Sequence, residues 1–153
     1  MHNYFKLRFS PHRIQSIADR YRDLNEDHIL EDMGSEIQKR RYLDKPEFME
    51  MCYWKTPRTR TRCAENSEDL IQETTRIALG TPCEELRIKI LLALNGVSWP
   101  TASVLLHFGY DNLYPILDYR ALWSLGIEKS LPTISSSGGP IPCTVASLLS
   151  NAA

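Results

Sequence analysis

A chain of 153 residues is long enough for one domain with a sizeable core. Its 18 basic and 19 acidic residues leave a net charge of −1, so the chain is no polycation, and any nucleic-acid face must be a local patch. Hydrophobic residues make up 42% and charged ones 24%, ordinary for a globular protein, and no apolar run approaches the ~20 residues of a membrane span.

The opening "MHNYFKLRF" alternates weakly and reads as extended. Ser10 and Pro11 form an N-cap and N1 pair, with Ile14, Ile17, Ala18, Tyr21 and Leu24 following at helical spacing. Residues 25 to 44 are strongly charged, with a short helix expected over Ile29 to Tyr42 and mobility around it. Asp44 caps the next helix, Pro46 lies in its first turn, and Phe48, Met51 and Cys52 supply the apolar face. The stretch "TPRTRTRCAEN" reads as a loop or extended arm. Ser67 caps a helix bearing Leu70, Ile71, Thr74, Ile77 and Ala78 on one face, and Gly80 stops it.

Thr81, Pro82 and Glu84 have the pattern of a capping box with proline at N1, starting a helix that runs to Leu94. A second helix, "TASVLLHF", follows after a turn, then the loop "GYDNLYPIL", and Asp118 is placed to cap "YRALWSLG". The fold class expected is therefore all-α. It is a helical bundle in one domain over residues 1–131, with a flexible or irregular tail over 132–153 that has no charged side chain and no period.

Cys52, Cys63, Cys83 and Cys143 form no C-x-x-C pair and no cluster with histidine, so no metal site and no cofactor are expected. In the absence of a secretory signal the thiols read as reduced and the location as cytoplasmic. The sequence does not report the oligomeric state.

The most apolar stretch, "LNGVSWPTASVLLHF", breaks a helix at Gly96-Val97-Ser98-Trp99-Pro100 and restarts it at once. Gly96 permits positive φ and close backbone approach. The amides of Val97, Ser98 and Trp99 open the new helix without intrahelical acceptors, as a phosphate-binding turn requires. Ala102 and Ser103 are small enough to keep the two helices close. The same pattern also describes an ordinary αα-hairpin in a bundle.

The segment from Leu94 to Gly126 resembles the helix–hairpin–helix DNA glycosylase superfamily, in its endonuclease III-like group and a bacterial branch of it. Leu94, Gly96, Val97, Thr101 and Ala102 match the hairpin; Ile116, Leu117 and Asp118 match the segment carrying the family's catalytic aspartate; Arg120, Leu122, Leu125 and Gly126 continue it. The strong part covers residues 84 to 126, with the helix–hairpin–helix at about 84–109 and the aspartate-capped helix at 118–126. The resemblance implies double-stranded DNA as partner and base excision as activity, with Asp118 catalytic. Two positions depart from it. Pro100 stands where strand-cutting members carry a lysine, and proline cannot form a Schiff base, which leaves a monofunctional N-glycosylase. Ser98 stands where the second hairpin glycine is found, which puts the anion site in doubt. By residue chemistry alone, a carboxylate at Asp118 can stabilise the positive charge that develops on deoxyribose as the N-glycosidic bond breaks. Equally, Asp118 is a plain helix N-cap.

"CYWKTPRTRTR" places Lys55, Arg58, Arg60 and Arg62 beside Tyr53 and Trp54, a pattern suited to a phosphate backbone. Trp54 either stacks on a base or closes the apolar face of its helix, the second being favoured. Lys39, Arg40 and Arg41 read as a polar helix face. Leu122 and Trp123 are expected in the core, Tyr119 is a candidate pocket residue, and His107 is expected to be structural. Three functions stay open: a DNA glycosylase, a DNA-binding module without catalysis, and a small helical protein that binds another protein. The abrupt loss of charge after Leu131 suggests that the tail is read out of frame. A shifted frame of codons able to encode it gives an aromatic, basic, amphipathic string of the kind that would close such a fold.

Overall fold

The computed structural model describes residues 6–20, 25–112 and 114–126, and the regular structure among them is all helical. The tail over 132–153, its reading frame, the domain end at 131, Tyr21, Leu24 and Cys143 lie outside the described residues. None of the described helices is long and apolar enough to cross a membrane.

Residues 6–9 are not helical. The Lys6 amide donates to the Leu125 carbonyl at 3.1 Å and the Arg8 amide to that of Ser124 at 3.0 Å, which fits an extended entry. Pro11–Arg13 is a 3-10 helix with Pro11 at N1, continued by α1 (Ile14–Ala18). The apolar face expected there is not buried: Ile14 and Ile17 are exposed. The charged stretch after it is the longest helix, α2 (Asn25–Arg40), where a short helix and a mobile region were expected. Leu30 and Ile37 explain the difference, because both are fully buried and pin one side of α2 to the core. Arg41 ends α2 in the left-handed region, at φ 67°, and its guanidinium holds both oxygens of Asp111 at 3.0 and 2.9 Å.

Helix α3 (Lys45–Lys55) begins in a capping box. The Asp44 side chain accepts from the Glu47 amide at 2.9 Å, and the Glu47 carboxylate accepts from the Asp44 amide at 2.9 Å. Phe48, Met51 and Cys52 are buried as expected, and Trp54 meets Phe108 edge-on at 5.8 Å. Basic "TPRTRTRCA" is no extended arm: Pro57–Thr59 forms a 3-10 helix and α4 (Arg60–Ala64) follows. Buried Cys63 draws this segment onto the core, which the alternation of threonine and arginine concealed.

Ser67 caps α5 (Glu68–Gly80). Ile71, Thr74 and Ala78 are buried, but Leu70 and Ile77 at the edges of the stripe are exposed. Gly80 is the last residue of the helix and does not take positive φ; the chain turns out at Thr81, ahead of Pro82. The expected capping box at Thr81 is absent. The Thr81 hydroxyl accepts from the Cys83 amide, and Cys83 is the N-cap of α6 (Glu84–Leu91) without a side-chain bond.

Helix α7 (Trp99–Gly109) is the central element. Of its residues all but Pro100 and His107 are buried, as befits a helix apolar on every side. It packs chiefly on α2 and α3, and less on its hairpin partner α6. Gly34 permits the α2 crossing, since a Cβ there would stand 2.4 Å from the Phe108 carbonyl oxygen. Each fully buried Leu or Phe in this core is worth about 2 kcal/mol in area removed from water. The last described helix is α8 (Tyr119–Ser124), capped by Asp118. Leu122 is buried as expected, but Trp123 is not. It is 57% exposed, with the Arg8 guanidinium 4.7 Å above its ring.

Candidate functional site

Helix α6 ends at Leu91, short of the Leu94 expected, and a run of tight turns carries the chain onward. The Leu94 amide donates to Leu91, and that of Val97 to Leu94 at 3.1 Å. The Val97 amide is thus spent inside the turn and is not open to a ligand. The Ser98 and Trp99 amides have no acceptor among the described residues. Ser98 is the N-cap of α7 with extended backbone, φ −116° and ψ 174°, so the turn has no need of a glycine there.

Gly96 does require its glycine, at φ 81°, and the reason is tertiary. A Cβ would stand 2.6 Å from Cys63 Sγ and 2.9 Å from the Cys63 amide nitrogen. The close approach that Gly96 allows in this structure is to α4. Asn66 fixes the same junction. Its amide nitrogen donates to the Cys63 and Asn95 carbonyls, each at 2.9 Å, and its oxygen accepts from the Asn95 amide at 2.8 Å. The hairpin is thereby tied to the end of the basic segment, and Arg62 is brought beside it.

The aspartate arrives from the other side. Ser103, fully buried on α7, donates to the Pro100 carbonyl at 2.8 Å and accepts from the Leu117 amide at 2.8 Å. One hydroxyl thus locks the start of α7 to the residue before Asp118. His107 Nδ1 lies 2.6 Å from the Tyr114 carbonyl oxygen, which anchors the same loop and gives His107 the structural role expected of it. Tyr114 donates to Glu84 Oε1 at 2.7 Å; burial first, and then this bond, hold its phenol well above the usual range. Asp118 Oδ1 accepts from the Arg120 amide at 2.8 Å, so the N-cap role is real. Asp118 Oδ2 lies 3.7 Å from Lys55 Nζ at the end of α3.

These elements enclose a cleft of about 890 Å³. Its walls include Lys55, Arg58 and Arg62, the hairpin residues Gly96, Val97, Ser98 and Trp99, and Asp118 with Tyr119. Three cations thus face one carboxylate in a chain whose net charge is −1. Arg60 is the exception among the residues singled out. It does not line the cleft and lies over the Tyr53 ring at 5.2 Å. Trp99 contributes a buried indole N–H that has no hydrogen-bond acceptor among the described residues. Lys39, Arg40 and Arg41 lie elsewhere, paired with Glu36, Glu47 and Asp111.

Sequence reasoning missed Asn66 and the roles of Ser103 and Lys55. An asparagine before a helix cap carries no distinctive pattern. The ion pair of Lys55 with Asp118 joins segments with no common motif. Comparison with family models, curated proteins and solved structures gives no match to this chain.

Proposed function

We propose that this cleft binds double-stranded DNA and that Asp118 acts there in excision of a base. The observation that carries the reading is the convergence, on one cleft, of the hairpin, three basic side chains and the capped aspartate. Lys55, Arg58 and Arg62 would neutralise backbone phosphates, and the Ser98 and Trp99 amides at the start of α7 would donate to another. The cleft volume lies in the range that accepts a small ligand, and a nucleotide turned out of the duplex would bring its sugar to Asp118. There the carboxylate, held in place by the Arg120 amide, would stabilise the cationic deoxyribose as the base departs.

A DNA-binding module without catalysis is the second reading. It is favoured by the engagement of both Asp118 oxygens, one by an amide and the other by an ammonium group. Two measurements decide. Duplex affinity that falls steeply with salt supports DNA as the partner, and salt-independent or absent binding removes it. Base release from a panel of damaged duplexes then separates excision from binding alone.

A further inference from the structure

Two thiols meet behind the wall of the cleft. We propose that Cys52 and Cys63 form a redox modification site, in which hydrogen peroxide or another small hydroperoxide converts the reduced pair to an intramolecular disulfide. Nothing in this chemistry depends on what the cleft binds.

The sulfurs come from two helices packed on each other, α3 and α4, and the residues are buried at 1% and 0% exposure. Both are free thiols, and their side chains hydrogen-bond to each other. From such contact only a short closure remains to an S–S bond of about 2 Å. The contact also divides the roles. The bond from Cys52 holds the Cys63 thiol down at about 6 against its burial, helped by Thr59 and Arg62, while the same bond and then burial push Cys52 up. Cys63 is thus the nucleophilic thiolate, and Cys52 keeps its proton. Cys63 Sγ lies 3.8 Å from the Thr59 hydroxyl oxygen and 2.6 Å from where a Cβ on Gly96 would stand. Thr59, Arg62 and Gly96 all line the cleft, so the sulfur lies just behind them, with no side chain over it at position 96. Peroxide needs only a small local opening to reach it, whereas a bulky disulfide reagent is kept out.

The chemistry balances with one peroxide. The Cys63 thiolate attacks one peroxide oxygen, the S–O bond forms, the O–O bond breaks, and the departing hydroxide takes a proton to become water. Cys63 is then a sulfenic acid. The Cys52 sulfur attacks the Cys63 sulfur, the S–S bond forms, the S–O bond breaks, and the Cys52 proton leaves with the hydroxide as a second water. Two thiols have lost two electrons and two protons, and the peroxide has gained them. A small dithiol reverses the reaction by exchange. Lys55, Arg58 and Arg62, the three cations of the cleft, all lie between the two cysteines in the chain. The disulfide therefore closes the basic segment into a ring and pins its far end to α3.

The test uses the full chain, reduced and then freed of reductant. Hydrogen peroxide is added and quenched, remaining thiols are alkylated in urea, and the chain is digested with trypsin without reduction. Trypsin cuts after Lys55, Arg58, Arg60 and Arg62, so a disulfide alone can hold the Cys52 and Cys63 peptides together. The expected product is that linked pair, lighter by two hydrogens, at least about tenfold more abundant than any disulfide of Cys83 or Cys143, and lost on treatment with dithiothreitol. The same dose given to the chain already unfolded in urea should yield the pair at least about tenfold more slowly, because the fold brings the sulfurs together and activates one of them. In Cys63→Ala, Cys52 should remain a free thiol at that dose. Cys52 and Cys63 both alkylated while Cys83 is oxidised, or Cys63 carried to sulfinic acid without linkage, overturns the site. Equal rates in the folded and unfolded chain overturn it too, as does oxidation of Cys52 in Cys63→Ala. Should that variant fail to fold by circular dichroism, the peptide map of the unmodified chain decides alone.

Discussion

Lys55 Nζ faces Asp118 Oδ2 at 3.7 Å, one group at the end of α3 and the other at the start of α8. Neither helix fixes this distance alone. It depends on Ser103 holding Leu117 against α7 and on α3 packing along α7.

Asp118→Asn separates the cap from the charge. Asparagine ranks with aspartate as an N-cap, so the change should cost under about 0.5 kcal/mol in urea unfolding. Duplex affinity should stay the same or rise slightly, since a negative charge is removed from beside the cations of the cleft. Base release, measured on whichever duplex the unmodified chain processes, should fall by about 100-fold or more, because preorganised charge is a dominant catalytic contribution. Release that survives the substitution removes Asp118 from the chemistry.

The arginines divide into two classes. Arg58 and Arg62 line the cleft, whereas Arg60 lies over Tyr53 outside it. Changing Arg58 and Arg62 together to Ala should flatten the slope of log affinity against log salt by up to about 2 units, one for each lost phosphate contact. Arg60→Ala should leave the slope unchanged. A loss from Arg60→Ala equal to that of the pair would place the DNA on a different face.

Gly96→Ala should destabilise the fold before it affects any ligand. The added Cβ meets the Cys63 amide nitrogen at 2.9 Å, and φ of 81° is unfavourable for any side chain. The two effects together should cost about 2 kcal/mol or more, read as a lowered urea midpoint. Ser98→Gly, by contrast, should leave duplex affinity unchanged, because Ser98 already holds an extended conformation that any residue adopts. A gain in affinity there would mean that the turn rearranges when it binds.

Asn66→Ala removes a donor pair and an acceptor that join α4 to the hairpin. The expected loss is about 1–3 kcal/mol of stability, since the Asn95 amide and carbonyl lose their side-chain partner, while the Cys63 carbonyl keeps only the backbone amide of residue 66. Arg62 should become less fixed relative to Ser98. DNA affinity should therefore drop even at a temperature where circular dichroism reports the chain fully folded. Unchanged affinity in that regime would show that the hairpin keeps its place by packing alone.

The sequence alone determined the helical class, the caps at Asp44, Ser67 and Asp118, and the break at Gly96, because these are local features. A capping side chain meets amides two or three residues away, and an apolar period shows which face seeks the core. The sequence also selected the set Lys55, Arg58, Arg62, Gly96, Ser98, Trp99 and Asp118 as candidates. It did not bring them together; it grouped with them Arg60, which does not line the cleft, gave the basic segment an extended form, and counted the Val97 amide as open. The Val97 amide is taken locally by Leu94, but the assembly of the site and the form of the basic segment were decided by tertiary contacts: Cys63 buried under Gly96, the Asn66 bonds to Asn95, and the Ser103 link to Leu117. Each is a short-range force between residues far apart in the chain, and such forces act only once α7 is enclosed by its neighbours.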